Sequence, residues 1–304
     1  YNILPNTTYN ERKAEIIIKD KGSDLSDTVK IVQAPKSDIF IGDVTFKTEQ
    51  DLINFKEMGY KKVKGNVSIN PYGFKTLQKL DNLLTEIEGS LILEGTLTNF
   101  DGLYGLKTIT EDLVIQSYLT SFAGLSNLET IGGNFKIIDS SSLNALTSFE
   151  GLSKLNYIGG DFEVNPKNLK SLSLDNLTTI GGDANINIDR MIETLNLNKL
   201  NSINGNLYIR GVYGKMTSLD LISLTTITGN LTITECPMLN NIDGLTNLTT
   251  VKNISITSCP KLYDFCVLKN VVKNNDYDFY TTGNGYNPTK YQLLNGECSK
   301  LPEE

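Results

Sequence analysis

The stretches INGNLYI (203–209) and ITGNLTI (227–233) carry one phrase: apolar, x, Gly, Asn or Asp, apolar, x, apolar. It recurs from Val63, Ile87, Ile131, Ile158 and Ile180, and without the glycine from Ile109, where Glu111 takes its place, and from Val251. The nine copies start 24, 22, 22, 27, 22, 23, 24 and 24 residues apart, a period that marks a repeat architecture.

Two further apolar series keep phase with the phrase. One Leu stands three residues before most starts (Leu106, Leu128, Leu155, Leu177, Leu200, Leu224, Leu248), and another stands six before, from Leu103 to Leu245. A third cluster lies further upstream, as in Leu97/Phe100, Leu119/Phe122 and Leu146/Phe149. Each period therefore has three apolar sides. The strand side alternates at the period of two expected of a half-buried strand, as in Leu113/Ile115 and Leu231/Ile233. So short a strand cannot bury its face alone, but stacking copies about 4.8 Å apart in parallel satisfies backbone and side chains together. The expected fold is mainly β, a right-handed parallel β-helix or solenoid.

The Gly-Asn/Asp step reads as a corner, where glycine supplies a positive φ and the Asn or Asp side chain bonds nearby backbone. The column Asn66, Ser90, Asp112, Asn134, Asp161, Asp183, Asn206, Asn230, Asn253 is thus structural rather than a calcium or catalytic site. The sequons beginning at Asn66, Asn230 and Asn253 fall on this column and read as by-products of the repeat.

Composition narrows the function. There is no histidine, the commonest general base and metal ligand, and the four cysteines form no CxxC pair. Neither a metal nor a cofactor is expected. Acidic residues outnumber basic ones, 35 to 28, and no basic stripe could neutralise a row of phosphates, so no nucleic-acid partner is expected. No apolar run approaches the roughly 20 residues needed to span a bilayer. Opening on Tyr1 without a signal h-region, the sequence reads as mature or trimmed, so an export signal or anchor would lie outside it.

The GNLxI strand followed by xxxLxxIxGLxNLxxI resembles the receptor L domain, the leucine-rich β-helix of insulin and EGF receptor ectodomains and of many bacterial surface proteins. The resemblance covers residues 44–300. Ordinary leucine-rich repeats compete, but their Asn follows the strand, whereas here it precedes it. The segment TEQDLINFKEM (48–58) should form a lid helix, with Thr48 as N-cap, Asp51 completing a capping box, Leu52 and Phe55 facing the core, and Gly59 as the stop. Residues 263–300 resemble the terminal cap of bacterial L-domain proteins, and Cys266 and Cys298 are expected to be disulfide-bonded there. Cys236 and Cys259 share a phase in adjacent rungs and read as a ladder of packed free thiols, with a rung-to-rung disulfide as the alternative.

Residues 1–35 do not share the repeat. Ala14, Ile16 and Ile18 alternate on one expected strand, Val29 and Ile31 on a second. With Arg12 and Gln33 in place, this part resembles the last strands of a BACON module, an immunoglobulin-like sandwich at the front of many Bacteroidetes secreted proteins. Less than half of such a module is covered. Residues 36–43 read as its linker.

The middle residue of each strand points outward: Ser68, Ile92, Val114, Lys136, Glu163, Asn185, Tyr208, Thr232, Ser255. Among these only Glu163 is acidic, whereas a glycosidase needs two carboxylates facing one cleft about 5–10 Å apart. A non-catalytic binding or adhesion module is therefore expected, recognising protein or carbohydrate at a cell surface, outside the cytoplasm and as a monomer. The alternative is a structural spacer with no ligand of its own. Candidate ligand-binding residues are Lys136 and Glu163 on the sheet face, and Tyr208, Arg210 and Tyr213 around YIRGVYGKM (208–216). A second break in the repeat, IDSSSLNA (138–145), is a further candidate surface.

Overall fold

Each copy of the phrase folds as a corner followed by a short strand, and the strands stack in register. The computed structural model describes residues 11–300 apart from 20, 25, 34–36, 139–145, 166–167, 188–191 and 274–277. The long sheet has eleven parallel strands, running in sequence order from Val44–Phe46 to Phe279–Thr282. Ile69, Leu93 and Ile115 align along it, as do Ile209, Ile233 and Ile256. A second parallel sheet of nine strands, from Ile39–Ile41 through Lys62–Lys64 to Thr226–Ile227, holds the apolar residue that opens each phrase from Val63 to Ile227. The third side is mostly turn, with a two-stranded piece from Ser171–Ser173 and Thr194–Asn196. The chain is thus a parallel β-solenoid with few helices.

All three apolar series point inward. Leu106, Leu128, Leu177, Leu200 and Leu224 are fully buried, and so are Leu125, Leu174, Leu197 and Leu221. The two leucines of each period both reach the core because the chain turns between them. The amide of Leu128 donates to the Leu125 carbonyl at 2.9 Å, and that of Leu177 to Leu174 at 3.0 Å. Phenylalanines stack from rung to rung in the core: Phe100 stacks on Phe122 (ring centroids 6.2 Å apart), which meets Phe149 at 5.1 Å.

The corner column forms a ladder between rungs. Asp43 Oδ1 accepts the Asn66 amide at 2.7 Å, Asn66 Oδ1 that of Ser90 at 2.8 Å, and Ser90 Oγ that of Asp112 at 3.2 Å. The series continues through Asn134, Asp161, Asp183, Asn206 and Asn230. Asn253 joins it through its side-chain amide, and Asn253 Oδ1 accepts from Asp278. The sequon asparagines Asn66, Asn230 and Asn253 are therefore engaged in the fold.

The reason expected for the corner glycines needs correction. Gly89, Gly133, Gly160, Gly182, Gly205 and Gly229 do not have positive φ; within the phrase only Gly65 does, at 150°. They are required by close approach instead. A Cβ on Gly133 would lie 2.3 Å from Asp112 Oδ1, and one on Gly182 2.3 Å from Asp161 Oδ1. Glycine in one rung leaves room for the acceptor of the rung before.

Both ends are closed. The helix Glu49–Met58 carries the expected capping box: Thr48 Oγ1 accepts the Asp51 amide, and Asp51 Oδ2 accepts the Thr48 amide at 2.8 Å. Gly59 ends it at φ 75°. Leu52 and Phe55 are buried, with Phe55 edge-on to Phe46 at 5.4 Å. At the rear, Val271, Val272 and Leu293 of two short helices are buried. Cys266 and Cys298 are disulfide-bonded with Cα atoms 4.8 Å apart. The Phe265 amide donates to the Cys298 carbonyl at 2.9 Å, tying the tail to the last turn.

Two boundaries shift. Ile39–Ile41, read as linker, pair with Lys62–Lys64 and begin the second sheet, so the solenoid starts before residue 44. Phe279–Thr282, read as cap after the repeat had failed, add one more strand beside Ile254–Thr257. Ahead of the solenoid, Arg12–Lys19 and Ser26–Gln33 pair antiparallel, placing Ala14 opposite Ile31 and Ile16 opposite Val29 as the alternation implies.

Candidate functional site

The outward face of the long sheet is a set of straight side-chain columns, because parallel strands in register repeat each position about every 4.8 Å. Lys136 and Glu163 are direct cross-strand partners, with Nζ 3.6 Å from Oε2. Such a half-exposed pair contributes about 0–1 kcal/mol and spends both charges on each other. Beyond Glu163 the column runs through Asn185 to Tyr208 and then Thr232. Ile92 and Val114 on this face are half-buried. Ile138 is exposed, and the rest of IDSSSLNA lies outside the described residues.

Tyr208 and Arg210 share the sheet face, since they are two apart on one strand. Arg210 Nη2 donates to Glu235 Oε2 at 2.7 Å, crossing to the next rung. Tyr213 is displaced from that face by the turn after the strand. Its φ is 60° and it is 69% exposed. The expected trio is therefore split: two residues on the sheet and one around the corner.

At that corner lies a groove of about 470 Å³. Val212 and Tyr213 form one side, Glu235 and Pro237 the next rung, Ser258 and Pro260 the one after, and Gly283 the last. Glu235, Ser258 and Gly283 each follow a strand-end threonine of register-matched strands and each take a left-handed backbone, with φ of 54°, 57° and 66°. Five non-glycine residues among those described have positive φ, and three of them, Tyr213, Glu235 and Ser258, line this groove. Each such residue costs on the order of 1–3 kcal/mol unless its surroundings hold it, and strain of this kind concentrates at functional sites.

What holds it lies directly beneath. Cys236 and Cys259 are free, buried thiols in adjacent rungs, donating back to the carbonyls of Thr234 at 3.3 Å and Thr257 at 3.4 Å. In the next rung Asn284 takes the same position: its Nδ2 donates to the Ile256 carbonyl and its Oδ1 accepts the Cys259 amide. The neighbouring Cys259 sulfur and burial push the Cys236 thiol up, so it stays protonated. A protonated, buried thiol packs rather than reacts.

No family model, curated protein or solved structure matches the chain.

Two other depressions are accounted for by the fold around them. One lies between the first rung and the lid helix, lined by Phe40, Val44, Phe55 and Met58. The other, on the third side, is polar, and its side chains are bonded within it or to a neighbour: Thr194 Oγ1 to Ser171 Oγ at 2.9 Å, and Asn196 Nδ2 to the adjacent Asp175 at 3.1 Å. Among the described residues no three His, Cys, Asp or Glu side chains converge as a metal site, and no helix is long and apolar enough to cross a membrane.

Sequence reasoning singled out Tyr213 and Arg210 and missed Glu235, Pro237, Ser258 and Pro260. The signal was present as ECP (235–237) and SCP (258–260), one rung apart and in phase.

Proposed function

We propose that this chain is a non-catalytic binding or adhesion module of an extracytoplasmic surface protein, with its ligand site at the corner groove and the adjoining sheet face around Tyr208 and Arg210. The observation that carries this reading is the convergence in one groove of an exposed aromatic ring and three left-handed non-glycine residues, one of which, Glu235, is paired with Arg210 on the adjoining sheet face. Supporting it is the pairing of Lys136 with Glu163, which leaves the middle of the sheet face charge-compensated. The receptor L domain resemblance of the rungs and the BACON resemblance of the N-terminal strands agree with a Bacteroidetes surface protein, as does the disulfide, a bond that persists in oxidising compartments.

Binding of the intact protein to immobilised mucin and to extracellular-matrix proteins tests the proposal. A Tyr213→Ala, Arg210→Ala double variant should lose at least tenfold in affinity. If the intact protein binds none of these surfaces, the spacer reading replaces this one.

A further inference from the structure

We infer that the corner groove takes a neutral glycan, with one pyranose ring lying against Tyr213 and the proline pair and its vicinal hydroxyls held by Arg210 and Glu235. This inference rests on the binding-module reading and commits it to one ligand class.

Glu235 lines the groove and Arg210, on the adjoining sheet face, donates to it at 2.7 Å, so the groove rim offers a strong donor beside a strong acceptor. An anionic or cationic ligand would compete with that pair for one of its charges. A diol does not: each hydroxyl both donates and accepts, so neighbouring hydroxyls can bridge guanidinium and carboxylate while the two stay together.

Val212, Pro237 and Pro260 give an apolar floor that repeats from rung to rung, and the exposed Tyr213 ring flanks it. A pyranose has this same division, with C–H groups on its face and hydroxyls around its rim. Rigid aromatic and proline surfaces lose little conformational entropy when they are covered. The rungs recur about every 4.8 Å, so a chain of rings laid along the solenoid axis would meet the Glu235/Pro237 and Ser258/Pro260 steps in turn.

Main-chain hydrogen bonding separates glycan from peptide. An extended peptide binds a β protein chiefly by main-chain hydrogen bonds at a sheet edge. Along this corner the amides are already used: Gly211 donates to Thr234, Glu235 to Thr257 at 3.1 Å and Ser258 to Thr282 at 2.9 Å. The groove also runs along a corner of the solenoid rather than along an edge strand. Side-chain recognition is what remains.

The test uses the full chain and a panel of neutral gluco-, galacto- and manno-configured oligosaccharides, followed by saturation-transfer NMR and calorimetry. Binding by at least one of them is expected. Tyr213→Ala should weaken it about tenfold or more, and Glu235→Gln and Arg210→Lys should each weaken it several-fold, with little change between low and high salt. Circular dichroism of each variant checks the fold, and Tyr213→Phe, which keeps the ring, should restore binding lost in Tyr213→Ala. Glycan binding that ignores all three positions overturns the inference, as does affinity that falls steeply with salt, the mark of a charged ligand. If mucin binding survives enzymatic removal of its glycans and no free oligosaccharide competes, the glycan inference fails and the binding-module reading stands. If only matrix proteins bind, the glycan inference alone fails; if mucin, matrix proteins and every oligosaccharide fail to bind, both fail.

Discussion

Replacing Gly182 with alanine tests why the corners are glycine. The added Cβ would lie 2.3 Å from Asp161 Oδ1 and 2.9 Å from both Asp161 N and Gly160 C. Contacts that short cannot be kept, so the Asp161 carboxylate must swing away and the backbone must open. Overpacking of this kind costs about 1–3 kcal/mol. The displaced carboxylate also loses the Asp183 amide that it accepts at 2.9 Å, worth about 1 kcal/mol at a half-exposed position. Gly182→Ala should therefore destabilise the chain by about 2–4 kcal/mol, read as a lower midpoint of urea unfolding with unchanged slope. Asp161→Ala alone should cost about 1–2 kcal/mol by leaving the Asp183 amide unpaired. The double variant is decisive. With the carboxylate gone, the new methyl no longer meets Oδ1, so the combined loss should fall short of the sum by about 1–2 kcal/mol. Strictly additive losses, or a neutral Gly182→Ala, would refute the close-approach explanation. So would full tolerance of Gly182→Asn, a residue that suits a left-handed backbone but adds more atoms to the clash.

Reduction of the Cys266–Cys298 bond should destabilise the protein by about 3–4 kcal/mol in the chain-entropy model, seen as a lower unfolding midpoint with reductant. Mass spectrometry after alkylation should find two modified cysteines in the unreduced denatured protein, Cys236 and Cys259, and none in the native one. Thr48→Ala should cost about 1 kcal/mol of lid stability, measured by amide exchange over residues 49–58. The Thr48 and Lys47 amides hold the Asp51 carboxyl below its ordinary value of 3.8. Its contribution is thus present above that value and lost as pH falls through the lowered one; exchange over the same helix should quicken on acidification, and Asp51→Asn should abolish that dependence. Truncating fully buried Leu200 to alanine should cost about 2–5 kcal/mol, by denaturant unfolding.

Much of this architecture is legible in the sequence because one rung is written many times. Three apolar series fixed in phase cannot all face inward unless the chain goes round once per period, and Leu125, Leu128 and Ile131 show this in a single turn. The lid helix is equally readable, since Thr48, Asp51 and Gly59 act within their own segment. What escapes reading is what depends on contact between rungs. Gly182 is glycine because of Asp161, which stands twenty-one positions earlier, and no local rule about φ reveals that. The groove escapes for the same reason: Tyr213, Glu235 and Ser258 become neighbours only once the register is set. Ile39–Ile41 and Phe279–Thr282 lie at the two ends, where half of the periodic signal is replaced by lid or cap.

The corner ladder has a direction. From Asp43 onward, the oxygen that accepts belongs to the earlier rung and the N–H that donates belongs to the later one. A rung added at the C-terminal end therefore meets an acceptor already held in position, whereas one added in front must bring its own and find a donor waiting. A chain delivered amino end first, by a ribosome or through a translocation pore, can then wind up one turn at a time, each finished turn serving as the template for the next.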